Sequence, residues 1–173
     1  MASILGVETL QHTNGTTAAT IDSTGRILTP ARPAFHARYS SSGTEGVQGD
    51  IVFNEEDFDI GSNYDTSNGR FTAPVAGIYY FCFEGLSAGS SGGGVLADGA
   101  STEVCFHKNG AQGAWSPRTY IFTQGAANYI SMSVVDIIQL AASDYIQVNV
   151  NSNYIYSDAS GNYDPTFQGF LIG

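Results

Sequence analysis

One short run, Gly77-Ile78-Tyr79-Tyr80-Phe81-Cys82-Phe83, restricts what this chain can fold into more than any other. Drawn out as a strand, it sends Tyr79, Phe81 and Phe83 to one side and Ile78, Tyr80 and Cys82 to the other, since successive side chains alternate. Both sides are apolar or aromatic. An antiparallel sheet usually packs one face on its core and leaves the other to water. A strand with two such faces needs a second cover, which another subunit can provide. Downstream, Ile130, Val134, Ile137 and Ile138 fall at helical spacing, but β-branched Ile130, Val134, Val135, Ile137 and Ile138 favour a strand. Ile146, Val148 and Val150 then alternate with Tyr145, Gln147 and Asn149, a period of two. The chain reads as all-β.

At 173 residues the chain can bury a proper core as one domain, whereas two all-β domains would each be small. The reading is an N-terminal arm over 1–32 and a single domain over 33–173. The arm alternates short apolar runs with turns: Ile4-Leu5-Gly6-Val7, Leu10, Asn14-Gly15, Ala19-Thr20-Ile21, Asp22-Ser23-Thr24-Gly25, Ile27. Asn-Gly supplies positive φ and marks a hairpin tip. Such a ribbon has too little apolar surface to fold alone, so Ile4, Leu5, Val7, Leu10, Ile21 and Ile27 are expected to anchor it on neighbouring subunits or a larger assembly.

Within the domain, Pro30 and Pro33 set an extended entry. Ser40 to Gly49 reads as a polar loop and Ile51-Val52-Phe53 as a short strand. Gly85 to Gly99, and Asn151 to Pro165, read as loops where variable contacts are made. Phe167 to Gly173 reads as the closing strand, with its end tucked inside the fold.

A formal net charge of -10 with only six Lys and Arg argues against nucleic acid or an anionic membrane as partner, because phosphate binding runs on basic patches. No apolar run approaches the roughly 20 residues of a membrane span. Nor does the N-terminus carry a signal-peptide pattern, so the protein is expected in a cytosolic compartment until something releases it. Cys82 and Cys105 each sit beside a Phe in a strand-like run, as buried free thiols or as one bond between sheets.

Phe53, Asp59, Tyr64, Phe71, Gly77, Tyr79, Phe81 and Phe83 fall at fixed intervals. Position for position they resemble the signature of the C1q globular-head family. Arg32-Pro33-Ala34-Phe35 looks like the first strand of such a head, Lys108-Asn109-Gly110 like its hairpin, and Phe167-Gln168-Gly169-Phe170-Leu171 like its closing strand. The resemblance implies a ten-stranded TNF/C1q-like jelly-roll sandwich that assembles as a homotrimer. The trimer contacts expected are one face of the 78–83 run, written as Tyr79, Phe81 and Phe83, with Phe167 and Phe170 of the closing strand; alternation alone leaves open which face turns outward. Heads of this kind host many unrelated roles. The arm phrase Thr9-Leu10-Gln11-His12-Thr13-Asn14-Gly15-Thr16-Thr17 also resembles the opening of tail and virion proteins of tailed phages, especially those infecting cyanobacteria.

Catalytic chemistry is sparse. Gly89-Ser90-Ser91-Gly92-Gly93 satisfies G-x-S-x-G, but the nucleophile elbow needs a strand before it and a helix after it. His12, His36 and His107 lie far apart and form no metal motif. The acidic run around Glu55, Asp57 and Asp59 reads as a solvated edge, with calcium on its hard oxygens as the lesser alternative in the absence of an EF-hand pattern; no cofactor is implied. Gly92, Trp115, Tyr154 and Tyr156 mark the candidate ligand loops.

Two functional classes follow. One is a non-enzymatic virion structural protein: a trimeric capsid decoration or cement protein, assembled in the host cytoplasm, whose arm grips a phage shell and whose acidic heads lie outside. The other is a receptor-binding fibre tip or adhesin contacting a host glycan or surface protein. A fibre usually has a long shaft, and the short arm favours decoration. A secreted complement-like or cytokine-like ligand is a third class, but the sequence has no signal peptide or collagen-like stalk.

Overall fold

The computed structural model describes residues 6–41, 45–113 and 116–173, and every regular element among them is a strand. The arm forms a sheet of its own, in which β1 (Thr9–Gln11), β2 (Thr17–Ile21) and β3 (Ile27–Leu28) pair antiparallel in that order. Turn chemistry closes both hairpins. Gly15 takes φ 87° at the first tip. At the second, the Asp22 carboxylate accepts from the amides of Thr24 (2.9 Å) and Arg26 (3.0 Å), an Asx-type turn.

The other eleven strands make the head. They are β4 (Ala34–Arg38), β5 (Glu45–Asp50), β6 (Glu55–Ile60), β7 (Tyr64–Asp65), β8 (Arg70–Thr72), β9 (Gly77–Ala88), β10 (Ser101–Lys108), β11 (Arg118–Phe122), β12 (Ile130–Leu140), β13 (Tyr145–Ser157) and β14 (Thr166–Leu171). One layer runs β12-β9-β14-β4-β6, and the other runs β11-β10-β13 with β5 and β8 also on β13. The layers join where the end of β9, Leu86 to Ala88, pairs with Tyr154 to Tyr156 of β13. This is a jelly-roll sandwich. It has one strand more than expected because Asp65 accepts from the Ser67 amide (2.8 Å) and folds Tyr64 to Thr72 into a hairpin.

The core is aromatic. Phe35, Phe53, Phe71, Tyr79, Phe81, Phe83, Phe106 and Phe167 are all buried to within 1% of full burial. Phe35 stacks on Phe71 at 4.8 Å, and Phe81 lies 5.5 Å from Phe71 and 5.9 Å from Phe167. Four residues expected at the trimer contact, Tyr79, Phe81, Phe83 and Phe167, are therefore interior to a single copy. Of the two faces of β9, the one with three rings carries more apolar volume than the one with Ile78, Tyr80 and Cys82. The interior takes the larger set because hydrophobic stabilisation scales with area removed from water.

Three further expectations change. Ile51-Val52-Phe53 is not a strand; the strand precedes it, where β5 pairs with β13 through Asp50↔Asn149 and Gly49↔Val150. Ile51 and Phe53 still enter the core, and the Tyr64 hydroxyl donates to Phe53 O at 3.1 Å. Next, β13 continues to Ser157, so Tyr154 and Tyr156 are strand residues. Positive φ at Ser152 (57°) and Asn153 (56°) makes the irregularity that shifts the register between Val150 and Ile155. Last, the end of the chain is not tucked inside: Gly173 is exposed, and its carbonyl accepts from Ile78 N at 2.8 Å.

Gly169 shows how close the packing is. A Cβ there would lie 2.7 Å from the Tyr80 backbone oxygen and 2.6 Å from the Phe81 ring. Gly169→Ala is expected to destabilise by about 1–3 kcal/mol through overpacking, read as a lowered Tm. An unchanged Tm would contradict the packing described.

The β12–β13 turn gives a pH expectation. Asn109 Nδ2 (2.8 Å), Lys108 Nζ (2.7 Å) and the Ala141 amide (2.8 Å) all surround Asp144. They hold its carboxyl down to about 2 from an ordinary 3.8. A depressed folded-state value stabilises above the ordinary one and is lost as pH falls through the folded one. Asp144→Asn should therefore flatten the fall in Tm between pH 4 and 2, by about 1 kcal/mol or less for so accessible a pair. Identical pH profiles for variant and parent would contradict this.

Candidate interaction surfaces

Register defines the outer face of the β12-β9-β14-β4-β6 layer. Opposite one another across its five strands lie Ile137, Tyr80, Phe170, Ala34 and Ile60. The next row is Val135, Cys82, Gln168, His36 and Phe58, and the third is Ser133, Glu84, Thr166, Arg38 and Glu55. The face grades from apolar to polar along the strands. Ile137 is 61% exposed, Phe58 51%, Val135 49% and Phe170 43%. Contiguous apolar surface of this kind marks interaction sites. Among the expected contact residues only Phe170 lies on it. Val135 and Ile137 were missed, although Val134-Val135 and Ile137-Ile138 put β-branched residues on both sides of β12, as the Gly77 to Phe83 run does on β9.

The polar row carries a charge network. Arg38 pairs with Glu55, with Asp57 at 3.2 Å and with Asp164 at 3.2 Å, while His36 Nδ1 sits 2.7 Å from Asp57. The acidic run is thus engaged within the chain itself. Glu55 and Asp57 already face a guanidinium, and Asp59 Oδ2 accepts from the Tyr64 amide at 2.8 Å. Among the described residues no group of three or more His, Cys, Asp or Glu side chains converges on a metal position.

From the polar row toward the end of the sandwich runs a groove of about 310 Å³ lined by Glu84, Gly85, Leu86, Ser131, Asn162, Tyr163, Asp164 and Thr166. Three tyrosines run beside it. Tyr129 and Tyr156 lie 4.2 Å apart between centroids, and Tyr156 and Tyr163 6.0 Å apart. Of the candidate ligand residues, Tyr156 is 7% exposed and forms the middle of this ladder, and Tyr154 is half-buried in β13. Gly92 is exposed in the loop after β9, and Trp115 falls outside the described residues. Tyr163 falls in the 151–165 stretch expected to make variable contacts but was not singled out, because its brace, Tyr156, is itself held by the sequence-distant Tyr129.

On the arm, Leu10 is 52% and Ile27 71% exposed, Val7 and Ile21 are half-buried, and Ile4 and Leu5 fall outside the described residues. Both cysteines are free and buried, and burial pushes the Cys105 thiol up to about 11. Elsewhere, His107 Nδ1 lies 3.1 Å from Asp50. His12 Nδ1 accepts from the Asn14 amide at 3.3 Å. Ser91 sits in a loop with no helix after it among the described residues.

The two-layer jelly roll has the fold of solved C1q and TNF structures. The chain belongs to the C1q domain family, whose model matches residues 34–172. It is 27% identical over 122 residues to human complement C1q and tumor necrosis factor-related protein 9B, covering 70% of this chain and 31% of that one. It is 26% identical over 171 residues to mouse collagen alpha-1(X) chain, covering 96% of this chain and 21% of that one. The chain thus spans under a third of the length of these curated relatives. Among solved structures it is similar to the globular domain of zebrafish complement 1qA (TM-score 0.57, 17% identity, 82% of this chain and 98% of that one). It is also similar to Eiger TNF from S. frugiperda (TM-score 0.59, 11% identity, 83% and 94%).

Proposed function

We propose that this protein is a non-enzymatic virion structural protein. Three copies associate through the open face, and the trimer decorates and cements a phage shell. The observation that carries the reading is the pair of apolar rows crossing five strands, Ile137 to Ile60 and Val135 to Phe58. A homotrimer is the assembly the C1q/TNF resemblance implies, and it removes this surface from water. The arm supports attachment. It is a separate sheet of strands three, five and two residues long, with Leu10, Ile27 and Leu28 exposed, too small to be stable without a partner. Its opening phrase resembles phage virion proteins. The head, at net charge -10 for the chain, resists non-specific association with nucleic acid. The protein acts in the virion, assembled in the host cytoplasm, against the major capsid or another virion protein.

Particles lacking the protein test this. They are expected to lose heat and osmotic stability while still adsorbing to cells. Particles that keep their stability and lose adsorption would replace this reading with the second one, a receptor-binding tip. The tyrosine-flanked groove favours that second reading.

A further inference from the structure

We infer that the groove at the polar end of the open face binds a neutral sugar, a hexose-type residue of a glycan, with Tyr163 as one wall and Glu84, Ser131, Asn162 and Thr166 directing its hydroxyls. The inference deepens the receptor-binding reading and rests on it. At about 310 Å³ the groove holds a small ligand. Tyr163 is 51% exposed, yet its ring is braced by Tyr156, which packs on Tyr129. A rigid exposed ring takes the C–H face of a pyranose without first being ordered. The rest of the lining mixes a carboxylate acceptor, two hydroxyls and an amide, so both donor and acceptor demands of sugar hydroxyls can be met.

Charge selects the ligand class. Arg38 (3.2 Å) and Ser157 (3.1 Å) hold the Asp164 carboxylate, leaving Glu84 as the one groove carboxylate without an ion-pair partner among the described residues. A single acid beside an arginine is a poor seat for a polycationic peptide. A chain of net charge -10 repels sialylated or sulfated glycans. A neutral polyhydroxylated ligand remains.

The test uses the full chain in its native assembly. Saturation-transfer NMR and calorimetry would be run with galactose, glucose, mannose, N-acetylglucosamine and their β-linked disaccharides, with sialyllactose and tetralysine as comparators. Adsorption of labelled protein to candidate host cells is measured alongside. One neutral sugar is expected to saturate. Tyr163→Ala should weaken it about tenfold, and Glu84→Gln should weaken it with the Tm unchanged. If Tyr163→Ala lowers the Tm, the exposed Asn162→Ala carries the same expectation. Binding of tetralysine instead, or equal sugar binding by the variants, overturns the inference. If the protein adsorbs to cells but no neutral sugar binds or competes, the sugar inference falls and the receptor reading stands. If a sugar binds at Tyr163 but no cells are adsorbed, the site holds and the receptor reading falls.

Discussion

Phe81→Asp is expected to leave no folded protein. The ring is wholly buried and sits within 6.4 Å, centroid to centroid, of Phe35, Phe71, Tyr79, Phe106 and Phe167. Losing such a ring costs about 3–5 kcal/mol, and burying an unpaired carboxylate adds several more. Together these approach the roughly 5–15 kcal/mol that stabilises a typical domain. Near-UV circular dichroism and soluble yield read the result, with Phe81→Leu as a control that keeps the fold at a lower Tm. A Phe81→Asp protein melting cooperatively near the parent's temperature would contradict the core described.

The double variant Ile137→Glu, Phe170→Glu should behave in the opposite way, folding normally but failing to assemble. Both side chains lie in one row of the open face, 61% and 43% exposed in the single copy, with Tyr80 between them and its ring 5.1 Å from that of Phe170. Exposed substitutions usually change protomer stability by about 0.5 kcal/mol or less. In an interface, each new carboxylate is buried without a partner at a cost of several kcal/mol. Sedimentation velocity is expected to find monomer, with a melting temperature that no longer rises with concentration. Retention of the trimer would remove this face from the interface. The two variants separate folding from association, which sequence reasoning had placed on one set of rings.

Alternation marks β9 as doubly apolar, and that was enough to place the strand at the centre of the fold. It could not say which side faces in, because either set of three passes as a core. The decision came from the neighbours, where Phe106 of the facing layer and Phe167 of the adjacent β14 pack against the Phe81 ring at 6.1 and 5.9 Å. The jelly roll itself was legible through the spacing from Phe53 to Phe83. The strand before Ile51 was not, because the tract Glu45-Gly46-Val47-Gln48-Gly49-Asp50 has turn composition and becomes a strand only by pairing with β13. Its neighbour misled the other way: Ile51 and Phe53 are buried outside any strand, with a single backbone bond from Ile51 N to Val148 O at 2.9 Å.

The surroundings of the acidic run were hidden for a similar reason. Glu55 and Asp57 suggested hard oxygens for calcium, yet their partner, Arg38, stands on another strand and answers them with a guanidinium. Composition shows the acids; only register shows the cation. The groove is assembled from β9, β12 and the loop before β14, so Glu84, Ser131 and Tyr163 share no motif. Tyr156 was legible as an aromatic near a loop, but its role as the brace behind Tyr163 depends on the Tyr129 ring, which arrives from the start of β12.

Sedimentation equilibrium of the unmodified protein tests most directly whether the open face draws copies together. A species of three times the 18.3 kDa chain mass, persisting to low micromolar concentration, is the predicted result. A single species of 18.3 kDa at every concentration, with Val135, Ile137 and Phe170 still in water, would contradict it.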